Sequence, residues 1–190
     1  GAQPELVEFE WAGVAAKHVG TLVHRMLNVI SETGVEAWSV KRLTDRKARF
    51  RSGLRALGVP HEDLERATQA VTAALTTALS DPIARWILDP THTQAQSEVA
   101  ISGWVDDNLV NAILDRTFIS SDLTRWIIDY KTGLHSGGSL DEFLDRERTR
   151  YEPQLHRYAQ LMKNLDSSPI RLGLYFPMHG GWRECELPNF

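Results

Sequence analysis

The sequence predicts a mixed α/β fold in which helices come first and a single sheet follows. Three observations carry that expectation. Up to about residue 90 the apolar residues recur with helical spacing. From Thr91 onward, short runs rich in Val, Ile, Trp and Phe alternate with Asp, Asn and Ser turns. One long amphipathic stretch then separates the first three of these runs from the last two. With 190 residues, 42% of them hydrophobic and 24% charged, the chain can bury a sizeable core.

Taken in order, Ala12 to Ile30 sets Leu22, Val23, Met26, Leu27, Val29 and Ile30 on a helical stripe. Ser39 to Leu57 reads as one helix, stopped by Gly58 with Pro60 beyond. His61 to Leu79 is rich in Ala and Leu and reads as another helix. Asp81-Pro82 opens a short one that should close near Asp89-Pro90. Glu98–Val105, Leu109–Ile119 and Thr124–Lys131 read as a three-strand antiparallel meander. Thr132 to Ser139 holds three glycines and reads as a flexible connection, and Leu140 to Arg148 as either a helix or part of that loop. Thr149 to Leu165 is an amphipathic helix with Tyr151, Leu155, Tyr158, Met162 and Leu165 on its apolar stripe. Arg171–Phe176 and Trp182–Leu187, around Gly180-Gly181, form a closing hairpin. The expected organisation is a helical region over residues 1–90 and a core over residues 91–190, one structural domain overall.

Composition excludes several chemistries. The single cysteine, Cys185, rules out an internal disulfide, a cysteine-ligated zinc site and a four-cysteine iron–sulfur cluster. No apolar run approaches the roughly 18–20 residues of a membrane span, and no charged-then-apolar leader opens the chain. The expectation is a soluble cytoplasmic protein with no membrane partner. Its start at Gly1 suggests a piece of a longer polypeptide. No Gly-x-x-x-x-Gly-Lys-Ser/Thr is present, so no nucleotide site and no ATP-driven motor are expected. The net charge of −4 hides an asymmetry. Lys41, Arg42, Arg46, Lys47, Arg49, Arg51 and Arg55 fall in one segment with only Asp45 against them, leaving 14 basic and 24 acidic residues elsewhere. Such a segment is either a solvated helix face or a contact for phosphates, where a local field steers an anionic ligand.

The segment Trp126-Ile127-Ile128-Asp129-Tyr130-Lys131-Thr132 carries the chemistry. Alternation along a strand turns Asp129 and Lys131 to one face and Ile128 and Tyr130 to the other. On the preceding strand, Asp115 interrupts the apolar run Ala112-Ile113-Leu114. Adjacent strands can bring the two carboxylates within a few ångströms, which is unfavourable unless a cation lies between them. Hard oxygen ligands suit Mg2+, with Mn2+ as a substitute. Asp106 rivals Asp115, but its longer separation from Asp129 does not suit a tight hairpin. His135, His156 and His179 have no spacing partner and read as solvated.

The pattern Ile-Leu-Asp115, Ile-Ile-Asp129-Tyr130-Lys131-Thr132 and Tyr151-x-x-Gln154-Leu-x-x-Tyr158 resembles the RecB-type nuclease branch of the PD-(D/E)xK superfamily, as found at the C-terminus of RecB and AddA helicase–nucleases. Gly20-Thr21-Leu22-Val23-His24 and Ser97-Glu98 are similar to two further elements of that family, so the resemblance runs from about Gly20 to Trp182. It implies a restriction-endonuclease-like core, a central mixed sheet flanked by helices with an added N-terminal helical region. It also implies a Mg2+-dependent deoxyribonuclease, an exonuclease more than an endonuclease, acting on single-stranded DNA or duplex ends in double-strand-break repair and recombination. The helicase domain of the same native polypeptide and a partner subunit would be its partners. His24, Asp115 and Asp129 would be metal ligands with the backbone carbonyl of Tyr130. Lys131 would position or activate water, and Gln154, Tyr158 and Tyr151 would line the site, with Glu98 nearby. Lys41, Arg42, Arg46, Lys47 and Arg49 are candidate DNA contacts. The competing readings are a stand-alone exonuclease of the same chemistry and a non-catalytic DNA-binding or docking module that keeps the fold.

Overall fold

Helix boundaries follow from local capping chemistry. In a computed structural model that describes residues 11–135 and 137–188, a π-helical turn over Trp11–Ala15 leads into α1, Ala16–Thr33. Val19, Val23, Met26, Leu27 and Ile30 fill its buried stripe, and the amide of Gly34 caps its end on the Ile30 carbonyl. The expected single helix over Ser39–Leu57 is two: α2, Val40–Asp45, and α3, Lys47–Leu57. Ser39 caps α2 by accepting the Arg42 amide at 3.1 Å. Arg46, at φ −95° and ψ −1°, turns the chain between them. At the far end Gly58, at φ +107°, takes the left-handed conformation that lets the Gly58 and Val59 amides bond the Arg55 and Leu54 carbonyls. After α4, Leu64–Ser80, Asp81 accepts the Ile83 amide at 2.9 Å and opens α5, Pro82–Ile87, with Pro82 in its first turn.

The sheet begins earlier than expected, with β1 over Thr93–Val105. Asp106 (φ +47°) and Asp107 (φ +61°) form a two-residue turn of the type that matches strand twist, returning the chain as β2, Asn108–Ile119. β3, Arg125–Tyr130, pairs antiparallel with β2 from Ile119↔Arg125 to Arg116↔Ile128. It pairs parallel with β4, Ile170–Phe176, from Arg125↔Ile170 to Tyr130↔Tyr175. The parallel step requires a crossover, and α6, Leu140–Lys163, supplies it. The sheet is completed by β5, Gly181–Cys185, in the order β1-β2-β3-β4-β5.

α6 merges the two segments expected before and after residue 149. Ser139 caps it, Asp141 and Glu142 stand in its first turn and Lys163 in its last, each favourable to the helix dipole. The exposed Pro153 is accommodated inside it. Leu155, Ala159 and Met162 are buried, while Tyr151 and Tyr158 lie half-buried at the edge of that face. Leu165, expected on the stripe, follows the helix and is exposed. All six residues of β3 are buried, as a central strand requires.

The chain divides into two compact units. One comprises Gly1–Leu88 with Lys131–Leu134 and Phe176–Gly180; the other comprises Asp89–Tyr130 with His135–Tyr175 and Gly181–Phe190. In the first, α1 and α3 pack on α4, whose Ala67, Val71, Ala74, Leu75 and Ala78 form the shared core. In the second, α6 packs against β1, β3 and β5. Among the described residues no helix is long and apolar enough to cross a membrane.

Candidate active site

In the sheet unit, β3 delivers Asp129 to a place that is only 5% exposed, with its Oδ2 closed off from solvent. Extending the β2–β3 register one step past Arg116↔Ile128 sets Asp115 opposite Asp129. The regular ladder stops there because the Asp115 side chain enters it. Its Oδ2 accepts the Tyr130 amide at 2.8 Å, the bond a strand carbonyl would otherwise make. The two carboxylates are thereby held side by side at the C-terminal end of β3. Asp106 sits instead at the exposed tip of the β1–β2 turn. Glu98 is exposed, with φ at +53°, on β1 between the pairs Ser97↔Arg116 and Val99↔Leu114, which sets it opposite Asp115.

α6 brings Gln154 and Tyr158 into the same field, one helical turn apart. Burial, and then the negative charge of Asp129 and Asp115, pushes the Tyr158 phenol up to about 12, against the opposing effects of Arg157 and a hydrogen bond with Gln154. Tyr158 is therefore a neutral hydrogen-bond donor at any physiological pH. Tyr130 is buried, and its phenol too is raised, first by burial and further by Asp115 and Asp129, with Arg116 opposing. Tyr151 carries the Arg150 guanidinium 5.1 Å above its ring.

Sequence reasoning missed Arg116 as a buried charge beside the site, although it follows Asp115 directly. It is 2% exposed and lies on the opposite face of β2, with Nη1 donating to Ser97 Oγ at 3.2 Å and Nη2 to the Asp89 carbonyl at 3.0 Å. A charge inside an apolar run was the available signal; its partners, distant in sequence, were not.

The helical unit holds His24 and Lys131. His24 is half-buried on α1, and its Nδ1–H donates to the Gly20 carbonyl at 2.9 Å. In the neutral ring that bond fixes the tautomer, so Nε2 carries the lone pair. Lys131 follows β3 by one residue and is half-buried. The segment it begins is tied down by His179, whose Nε2–H donates to the Gly133 carbonyl at 3.2 Å. His179 was expected to be solvated, as were His135 and His156; each of the three bonds a backbone carbonyl. In the basic segment, Arg42 and Arg46 lie 4.2 and 5.0 Å over the Trp38 ring, while Lys41 pairs with Asp45 at 2.7 Å. Lys47 and Arg49 are exposed on α3.

Among the described residues no three His, Cys, Asp or Glu side chains form a ready-made metal cage. The donor set still fits a magnesium-type ion, which takes one or two carboxylates and keeps several waters. The Asp115–Asp129 pair would supply those carboxylates.

The profile of the PD-(D/E)XK nuclease superfamily matches residues 6–183, and Asp129-Tyr130-Lys131 has the D-x-K spacing that the family's name spells out. No curated protein matches the chain. The chain belongs to the PD-(D/E)XK nuclease superfamily, whose members are typically metal-dependent nucleases.

Proposed function

With that membership as premise, we propose that the chain is a Mg2+-dependent deoxyribonuclease, with Mn2+ able to substitute. In this reading it is the C-terminal nuclease domain of a cytoplasmic, bacterial-type RecB/AddA-like helicase–exonuclease that trims DNA ends in double-strand-break repair and recombination. The observation that carries it is the Asp115 Oδ2 bond to the Tyr130 amide, which sets two carboxylates together at the end of a buried strand. Two neighbouring like charges, Asp129 buried and Asp115 half-buried, are tolerated where a cation is bound.

In this reading Asp115 and Asp129 hold the ion. His24 Nε2 and the Tyr130 carbonyl complete the ligand set that the family pattern implies. Bound there, a divalent ion supplies Lewis-acid stabilisation of the negative charge that builds on phosphorus-bound oxygens. Lys131 orients the attacking water and carries positive charge toward the same oxygens. Tyr158, held neutral and hydrogen-bonded to Gln154, donates its O–H to a phosphate oxygen. Tyr151 lines the approach, Glu98 borders it, and Lys41, Arg42, Arg46, Lys47 and Arg49 contact the DNA backbone.

The test is digestion of end-labelled single- and double-stranded DNA with Mg2+, Mn2+ or chelator. Wild type should degrade DNA only with metal. Lys131→Ala and Asp129→Ala, shown folded by circular dichroism, should each lose at least about a hundredfold in rate. Release of mononucleotides or short ends would establish an exonuclease, and internal cuts an endonuclease. No cleavage, together with no metal binding to wild type, would leave the docking-module reading.

A further inference from the structure

His24 and Lys131 stand far apart in sequence but within one compact unit. At Gly20 the two segments approach closely. A Cβ placed on Gly20 would lie 2.4 Å from Thr132 Oγ1, 3.5 Å from its Cβ and 3.9 Å from its Cγ2. Nothing in the backbone of α1 calls for glycine there, since Gly20 lies mid-helix and outside the positive-φ set. In a helix interior glycine costs about 1 kcal/mol relative to alanine, so its presence needs another cause. The close approach of Thr132 supplies that cause.

Both neighbours of this contact belong to the proposed chemistry. Thr132 directly follows Lys131, and His24 lies one turn beyond Gly20, bonded through Nδ1–H to the Gly20 carbonyl. We infer that Gly20 is a positioning residue whose missing side chain seats the Lys131–Leu134 segment on α1 and so fixes Lys131 relative to His24. The His179 bond to the Gly133 carbonyl is a second tie on the same segment. The inference rests on the nuclease reading for its effect on rate, but not for its effect on the segment itself.

The experiment compares wild type with Gly20→Ala, Gly20→Ala/Thr132→Ala and Gly20→Ala/Thr132→Val. Three readouts are taken: melting temperature, amide hydrogen exchange of peptides covering residues 131–134, and kcat and KM on DNA with Mg2+. Alanine is the better helix former, so all three variants should fold. Gly20→Ala should speed exchange in that segment and lower kcat about a hundredfold with little change in KM, as misplacement of a reacting group by about 1 Å does. Thr132→Ala removes the opposing Oγ1 and should return both readouts toward wild type. Thr132→Val keeps a branched group there and should not. Unchanged exchange and kcat in Gly20→Ala overturns the inference, as does equal rescue by Ala and Val, or a Gly20→Ala defect that Thr132→Ala leaves in place. Wild type that neither cuts DNA nor binds metal overturns the nuclease reading and leaves this inference standing, because the exchange pattern still decides whether Gly20 seats the segment.

Discussion

Tyr158 shows how much one residue reports about the carboxylate pair. A tyrosine normally ionises near about 10, and this one is pushed up to about 12 by burial and by Asp129 and Asp115. Ultraviolet titration of wild type should therefore show Tyr130 and Tyr158 ionising late. Asp129→Asn removes one negative charge and should move the Tyr158 transition downward; a transition that stays in place would separate the phenol from the carboxylates. Asp115 was legible in the sequence as an acid inside an apolar run. Its bond to the Tyr130 amide was not, because it depends on where β2 and β3 stop pairing. Gly20 was legible only as a motif letter, since the contact that explains it comes from Thr132.

Among elements, β3 depends on an ion pair at its start. Arg125 is 5% exposed and donates through Nε to Asp166 Oδ2 at 2.7 Å, just beyond α6, and through Nη2 to Gln94. Asp166→Ala leaves that guanidinium buried without its counterion and should destabilise the protein by about 3 kcal/mol, measured by urea denaturation. The Asp166 carboxyl is held below its ordinary value, first by the Ser168 amide against the opposing effect of burial, and further by Arg125. A depressed native value means the stabilisation is complete above the unfolded carboxyl value of about 4 and is lost as pH falls through the native one. Asp166→Asn should therefore flatten the acid limb of stability against pH. Strand positions were legible because alternation and turn residues agree. The boundaries inside helices were not: Arg46 breaks the basic helix with no glycine or proline to mark it, and the charged run from Asp141 to Arg150 hid the first half of α6.

For the whole molecule, charge is concentrated in a way that its net value of −4 conceals. If Lys47 and Arg49 touch phosphates, replacing both by Glu should weaken DNA binding without sequence preference. The slope of log affinity against log salt should fall by about one for each lost contact. An unchanged slope would assign the segment to solvent. The mixed fold class was legible because helices and strands occupy separate stretches of sequence, whereas the grouping of Lys131–Leu134 with the helices depends on tertiary contacts that no spacing encodes. The order β1-β2-β3-β4-β5 also governs how the sheet forms. The β1–β2 and β2–β3 turns close short loops and can zip within microseconds, at little entropic expense. The β3–β4 pair is different, because its parallel ladder waits for all of α6 to be laid down between them. During refolding Asp129 therefore sits on a provisional edge strand, with polar backbone groups exposed to other chains. Pairing with β4, once α6 has been laid down, is the step that removes this hazard, and only then does the strand bearing Asp129 gain its second neighbour.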